Sequence, residues 1–548
     1  MAITQRGYFW TLTATLVASL ALVPLVAVAQ SLVFGDRDAF GHLFVTTLPV
    51  YAGNTALLMI MVGSLSAIIG VGTAWLVSSS SFRGRRFWSW VLVLPIAAPA
   101  YIIAYLYTDL LTFSGPIQSG LRAFFGWSAS DYWFPNIRSL PGAALMLSLV
   151  LYPYVYLLAR ASFAAQSRSQ LLAARTLGLS TMGTFWRVAL PGARPAIVGG
   201  LALVLMETLA DFGVADYFAI PTFSTGIFRT WFALGDRSVA MQLAGVMLLF
   251  VVVLVTFEAS TRRGQVASTD RLSATEPPFT LSDRDTLLAN CLCALPVILG
   301  FALPMLLLVN NVLTQQDSQS FGAFLGFVTN SVGTAAITAG LATMLALILG
   351  YAARQSRPEN VAGQLLIGGI RLSTLGYALP GALLAVGLLT PLGVVDQALT
   401  RTLRDTAGWS GGLILSGTVV LLIYALLIRF LTVSYNSVSA GMTKIAPTID
   451  AAARSLGASP LILIRRVHLP LLASPLAVSA SLVFVDVMRE LPATLILRPF
   501  NFETLATRVY RLASDERIIE ASTAAILIVL IGLIPVFVLN AEPRRRGS

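Results

Sequence analysis

The chain has 548 residues, 56% of them apolar and only 11% charged, with a mean hydropathy of +0.80. A water-soluble domain carries nearer a quarter of charged residues, and a disordered one combines low hydrophobicity with high charge, so both are excluded. The net charge of +11 rests on 36 Lys and Arg against 25 Asp and Glu, every cation but Lys444 being Arg. In a chain this apolar that excess reads as the positive-inside bias of a polytopic membrane protein, not as a nucleic-acid footprint.

Uncharged runs long enough to cross a bilayer recur along the whole sequence. In chain order they predict twelve spans, at residues 11–29, 54–78, 87–108, 139–159, 196–219, 239–257, 286–311, 330–353, 372–395, 406–428, 474–497 and 521–541. Ala27-Val28-Ala29 resembles a signal-peptidase site, yet the run before it exceeds the usual core of roughly 7–15 residues and only Arg6 precedes it, so a retained helix is expected. With the amino terminus in the cytoplasm, the inner segments hold 24 of the 36 cations, including the groups from Arg160 to Arg194 and from Arg429 to Arg466. That bias places both termini inside. Cys291 and Cys293 are two apart and face different sides of a helix, and His42 and His468 are distant, so neither a disulfide framework nor a metal-ligand cluster is available.

The chain repeats itself. Asn54-Thr55-Ala56-Leu57 answers Asn330-Ser331-Val332-Gly333, and Ala98-Pro99-Ala100 answers Leu379-Pro380-Gly381. Leu177-Gly178 answers Leu456-Gly457, and Leu190-Pro191 answers Leu469-Pro470; the four offsets are 276, 281, 279 and 279. A nearly constant offset marks an internal duplication, and six spans per half insert both halves the same way round. The predicted fold class is all-α: a polytopic membrane protein of twelve helices in two parallel six-helix repeats, 1–259 and 286–548. Polar residues 260–285, with Arg262-Arg263 and Glu276-Pro277-Pro278, read as a cytoplasmic linker.

Two inner loops, about 165–195 and 435–473, share a pattern. Leu172-Ala173-Ala174-Arg175-Thr176-Leu177-Gly178 is followed ten residues on by Val188-Ala189-Leu190-Pro191. Ala451-Ala452-Ala453-Arg454-Ser455-Leu456-Gly457 is followed at the same interval by Val467-His468-Leu469-Pro470. Alanines make a low-profile helix that a partner approaches closely, and the glycine permits the turn that ends it. The proline is expected to stop a second short helix before the membrane, and the arginines to meet a partner's carboxylates.

This pair of loops resembles the "EAA" loop of binding-protein-dependent ABC importer permeases, whose pattern is Glu-Ala-Ala, three residues, Gly, nine residues, then Ile-x-Leu-Pro. The matches are Ala173, Ala174, Gly178, Val188, Leu190 and Pro191, then Ala452, Ala453, Gly457, Val467, Leu469 and Pro470. Both copies depart at the leading Glu, here Leu172 and Ala451, while Asp450 lies one residue early in the second copy only. In that family the loop is a coupling helix seated in a cytoplasmic ATPase, so the resemblance implies the type I importer fold and two copies of an ABC ATPase subunit. It also implies an extracytoplasmic substrate-binding protein and the bacterial inner membrane. The run from Glu207 through Trp231 and the run Arg489-Glu490-Leu491-Pro492-Ala493-Thr494 are similar to ferric iron (Fe³⁺) importers. Thiamine and polyamine importers are near relatives, so those cargoes stay open.

No Gly-x-x-x-x-Gly-Lys-[Ser/Thr] occurs, so ATP is expected to be used by the partner subunit, with no catalytic residue and no cofactor in this chain. Charges inside spans are expensive and mark a pathway or a pair. Glu207 and Asp211 recur at an offset of 279 as Asp486 and Glu490. Residues four apart share a helix face. These four therefore predict a ring of carboxylates where the halves meet, suited to a hard cation, unless Arg489 neutralises them and they only fix packing. Asp36, Asp38, Asp131, Asp236, Asp515, Glu516 and the outer arginines are candidates for docking the binding protein. A proton- or sodium-coupled secondary transporter also explains the duplication and the buried acids, but not two matched loops. No His, Cys or Ser–His–Asp constellation supports a membrane enzyme.

Overall fold

In lipid every backbone N–H and C=O must find a partner within its own segment, so apolar runs of this length become helices. The computed structural model describes residues 2–262, 279–314, 321–356, 360–408 and 411–540. Linker residues 263–278 and the terminal Arg544 to Arg546 lie outside the described residues. Ten helices are long and apolar enough to cross a membrane, and two bent pairs bring the number to as many as twelve. Among the described residues the one strand pairing is Ser80–Ser81 with Phe279–Thr280, which seats the end of the linker beside the second span.

Several spans differ from the sequence reading, each for a local reason. The third is bent by 88° between Arg85–Ala97 and Ala100–Phe125. Pro99 sits at the break with ψ 136°, where it ends one helix and starts the next. The fifth helix stops at Ala210 and the eleventh at Met488, short of their apolar runs. The tenth is Val419–Met442, not 406–428. Gly408, Gly411, Gly412 and Gly417 make the start of that run a loop, tied down by Asp396, whose carboxylate accepts from the N–H groups of Ile414, Leu415 and Ser416 at 2.8, 3.1 and 2.6 Å. Arg429 then lies within the helix and is buried, so it is not an inner-loop cation.

Leu190-Pro191 does not stop its helix. The span runs unbroken over Thr181–Ala210 because Phe185–Ala189 winds as a π turn. The Leu190 N–H reaches Phe185 O, and the wider turn accommodates the missing N–H and the ring of the next residue. Ile464–His468 before Leu469-Pro470 and Ile298–Ala302 before Leu303-Pro304 do the same. In the second half the helix does break close to the expected place, bending by 77° between Pro460–Leu471 and Ala473–Met488, two residues past Pro470.

The duplication reaches individual hydrogen bonds. Asn54 Nδ2 donates to Pro221 O at 3.1 Å and Asn330 Nδ2 to Glu503 O at 3.0 Å. The Thr55 hydroxyl accepts from Phe223 N–H, and that of Ser331 from Leu505 N–H. Helices Phe223–Phe232 and Leu505–Ser514 each begin with a Thr–Thr capping box.

The first helix of each half packs on the other half. Leu12–Phe34 lies against Val361–Ser373 and Gly381–Ala407, and Asp283–Thr314 reaches Leu48–Ser79 and Leu140–Ala165. Tyr424 Oη donates to Leu20 O at 2.6 Å and Tyr107 Oη to Leu299 O at 2.7 Å. A Cβ at Gly387 would stand 2.8 Å from Pro24 O, and one at Gly300 2.6 Å from Leu149 O, so both crossings need a residue without a side chain. The 1–259 and 286–548 boundaries thus divide the sequence, while the packing interlocks across them.

Candidate functional site

Each loop folds as a short helix closed by a left-handed glycine. Arg168–Thr176 ends at Gly178, φ +90°, and Pro447–Ser455 at Gly457, φ +81°. Both ends are Schellman motifs: Leu179 N–H donates to Ala174 O and Gly178 N–H to Arg175 O; Ala458 N–H donates to Ala453 O and Gly457 N–H to Arg454 O, all at 3.0–3.1 Å. Ala173 and Ala452 are exposed, while Ala174 turns inward. At the tips stand Leu177, 84% exposed, and Leu456, 88% exposed, with Met182 and its equivalent Leu461 beside them. Such matched apolar residues on a loop end, away from the spans, are an exposed patch of the kind that seats a partner. Arg175 and Arg454 are both exposed; the Arg175 guanidinium lies 5.9 Å from the Phe279 ring at the end of the linker and donates to Thr181 Oγ1 at 3.1 Å. Leu190, Pro191, Leu469 and Pro470 belong to the π-turn junctions and not to the tips.

Far from the loops, one cavity lies between the halves. It is lined by all four predicted acids, Glu207, Asp211, Asp486 and Glu490, together with Arg429, Arg489, Tyr101, Tyr154 and Tyr377. The helical face expected of each pair does not exist, because both helices end between the two acids. Asp211 is extended, ψ 130°, and its carboxylate accepts from Ala215 N–H at 3.1 Å, capping helix Gly213–Tyr217. The breaks, not a helix period, turn all four towards one space.

The two walls differ. On the second half Arg489 Nη2 donates to Asp486 Oδ1 at 2.6 Å and Arg429 Nη1 to Glu490 Oε1 at 2.8 Å. Arg489 Nη1 also donates to Ile96 O at 2.8 Å, joining the second half to the bend of the third span. Glu207 and Asp211 make no ion pair among the described residues; positions 150 and 210, equivalent to Arg429 and Arg489, hold Val150 and Ala210. The lining therefore carries four carboxylates against two guanidiniums. No group of three His, Cys, Asp or Glu able to hold a metal ion occurs among the described residues. Sequence reasoning missed Arg429, counted as a loop cation, and the three tyrosines; Tyr101 and Tyr377, each beside a repeated Pro, carried the available signal.

On the side opposite the loops, three of the candidate docking acids have local work. Asp36 accepts from Asp38 and Ala39 N–H, and Asp236 from Val239 N–H, each at a helix start. The Ser128 hydroxyl and N–H hold the Asp131 carboxyl below its ordinary range. Arg498, Arg508 and Arg511 gather round Glu503.

Residues 66–263 match the family described as binding-protein-dependent transport system inner membrane component. The chain is 26% identical over 543 residues to the Fe(3+)-transport system permease protein of Haemophilus influenzae, covering 98% of this chain and 99% of that one. It is 30% identical over 208 residues to a probable molybdenum ABC transporter permease protein of Haloferax volcanii, 37% of this chain and 72% of that one. It is 32% identical over 142 residues, 25% of this chain and 52% of the other, to a putative 2-aminoethylphosphonate transport system permease protein of Salmonella typhimurium.

Proposed function

The chain belongs to the family of binding-protein-dependent transport system inner membrane components, and on that premise we propose that it is the permease of an ATP-driven importer whose cargo is ferric iron. Two copies of a separate ABC ATPase dock on the loops ending at Gly178 and Gly457, on the cytoplasmic side where both termini lie. A binding protein delivers cargo to the opposite face. ATP drives the loops together, and the halves rock about the cavity, opening it to one side and then the other.

The observation that favours a cation over an oxyanion is the charge of the lining, and the near-full-length similarity to a ferric permease is what favours iron over thiamine or a polyamine. Molybdenum travels in water as an oxyanion and a phosphonate is anionic, and either would meet four carboxylates, two of them outside any ion pair among the described residues. In a low-dielectric space that repulsion is severe, whereas a small trivalent cation is stabilised by it. Carboxylate and phenol oxygens are hard donors that suit such an ion, and their scatter favours passage over capture.

The test is uptake by membranes holding the permease, its ATPase and its binding protein. We expect ferric ion to accumulate and molybdate not to, and Glu207→Gln with Asp211→Asn to cut ferric uptake at least about tenfold with the ATPase still bound, that factor being about 1.4 kcal/mol. Molybdate uptake by the wild type, or unchanged ferric uptake by the double variant, overturns the reading.

A further inference from the structure

Asp450, the acid that stands one residue before Ala451-Ala452-Ala453, does not face the water: it is 7% exposed and points into the membrane domain. Its Oδ2 accepts from Arg354 Nε at 2.6 Å, while its Oδ1 packs 3.3 Å from Nε2 of the fully buried His468 without hydrogen-bond geometry. Arg354 stands in the last turn of helix Phe321–Gln355, and its other two nitrogens donate to Met442 O at 2.7 Å and Ile445 O at 2.9 Å, where helix Val419–Met442 ends. His468 closes the π turn that leads to helix Ala473–Met488, its ring edge-on to Tyr351 at 5.6 Å. Through Arg354 one carboxylate on the loop thus ties the ends of two membrane helices, Phe321–Gln355 and Val419–Met442, and it packs against the π turn that precedes a third, Ala473–Met488. Two of these carry cavity residues, Arg429 and Asp486.

The first loop has no such joint. At the position equivalent to Asp450 stands Leu171, buried in the apolar cluster that holds Trp75, Phe163, Phe185 and Phe279. Trp75 packs on those three rings at 5.4, 5.3 and 6.0 Å. Apolar contact is non-directional and yields to sliding, whereas a buried charged hydrogen bond fixes distance and angle.

We infer that Asp450 is the positioning residue through which the second loop moves the cavity, by a rigid Arg354–Asp450 joint packed on His468, while the first loop rests on an apolar seat that slides. The inference rests on the loops being the docking points of the ATPase. It makes the two halves mechanically unequal, and it accounts for an acid that has left the docking surface for the inside.

The test follows motion without needing cargo. In the full complex, with Cys291 and Cys293 replaced by Ser, spin labels at positions 169 and 448, exposed at the starts of the two loop helices and off the apolar tips, report the approach of the loops on trapping ATP. In the same background a single cysteine at Val150 reports cavity access by its rate of thiol labelling. In the wild type both signals are expected to change with ATP. With Asp450→Asn we expect the loops still to approach but the ATP-dependent change in cavity labelling to fall at least fivefold, and Asp450→Glu to restore most of it. Cavity labelling that still responds in Asp450→Asn overturns the proposal. So does loss of loop movement in that variant, which would make Asp450 a docking contact, or a thermal destabilisation that Asp450→Glu shares without regaining the cavity response. If the wild-type loops do not move with ATP, the docking reading itself fails, whatever Asp450 does.

Discussion

Arg429 and Glu490 show what a single buried pair does in this protein. Both side chains are nearly sealed from solvent at 2.8 Å, inside a region where an unpaired charge has no water to turn to. Arg429→Met strands the Glu490 carboxylate, and removing one partner of a buried pair costs about 3–5 kcal/mol. Thermal unfolding of the purified protein in detergent is expected to show a clear drop in midpoint for Arg429→Met and a smaller one for Glu490→Gln, which keeps an acceptor for the guanidinium and for Ala493 N–H. Equal midpoints for wild type and Arg429→Met would mean that the pair is hydrated. At this scale the sequence was half legible. The four acids stood out because charge in an apolar run is costly, and all four reach one cavity. Arg429 was hidden because the same rule made it a boundary: an arginine inside a span and one at its end look alike until the partner, 61 residues away, is in place.

The two loops proposed to carry motion depend on turns more than on helices. Gly178 and Gly457 hold φ near +90° and +81°, where a side chain costs about 1–2 kcal/mol and proline cannot follow at all. Gly178→Pro or Gly457→Pro is expected to insert at wild-type levels and to abolish transport, read by membrane fractionation beside uptake; normal uptake by the double variant would remove the loops from the mechanism. Gly178→Ala is expected to weaken transport without ending it, since only the strain is added and nothing lies near the new methyl group. Both loop turns were legible, because Gly after an amphipathic segment has one strong structural reading. The fate of the prolines was not. A Leu-Pro step reads as a helix stop, but a π turn one residue ahead removes the clash, and this device occurs three times among the described residues.

For the whole molecule, the interlocked first spans mean that neither half is finished by its own residues. Helix Gly381–Ala407 leans its Gly387 face on Pro24, and the seventh span leans Gly300 on Leu149. A fragment of residues 286–548 is therefore expected to aggregate when expressed alone and to become monodisperse when residues 1–262 are supplied as a separate chain, as size-exclusion chromatography in detergent would read. A monodisperse 286–548 fragment would contradict the exchange. The duplication itself was legible from four short matches, one of which, Asn54-Thr55 with Asn330-Ser331, turns out to anchor the start of helix Phe223–Phe232 in the first half and of helix Leu505–Ser514 in the second. The exchange was not legible, since hydropathy marks where a helix crosses and is silent on which neighbour it crosses beside.

All of these scales converge on force applied at two inner loops and felt in a carboxylate-lined space between the halves. Ferric ion uptake into proteoliposomes holding the permease, its ATPase and its binding protein tests this most directly, with proton and sodium gradients collapsed. Accumulation that needs ATP and stops when the ATPase subunit is omitted is the expected result. Accumulation by the permease without that subunit, driven by a restored ion gradient, would contradict the account.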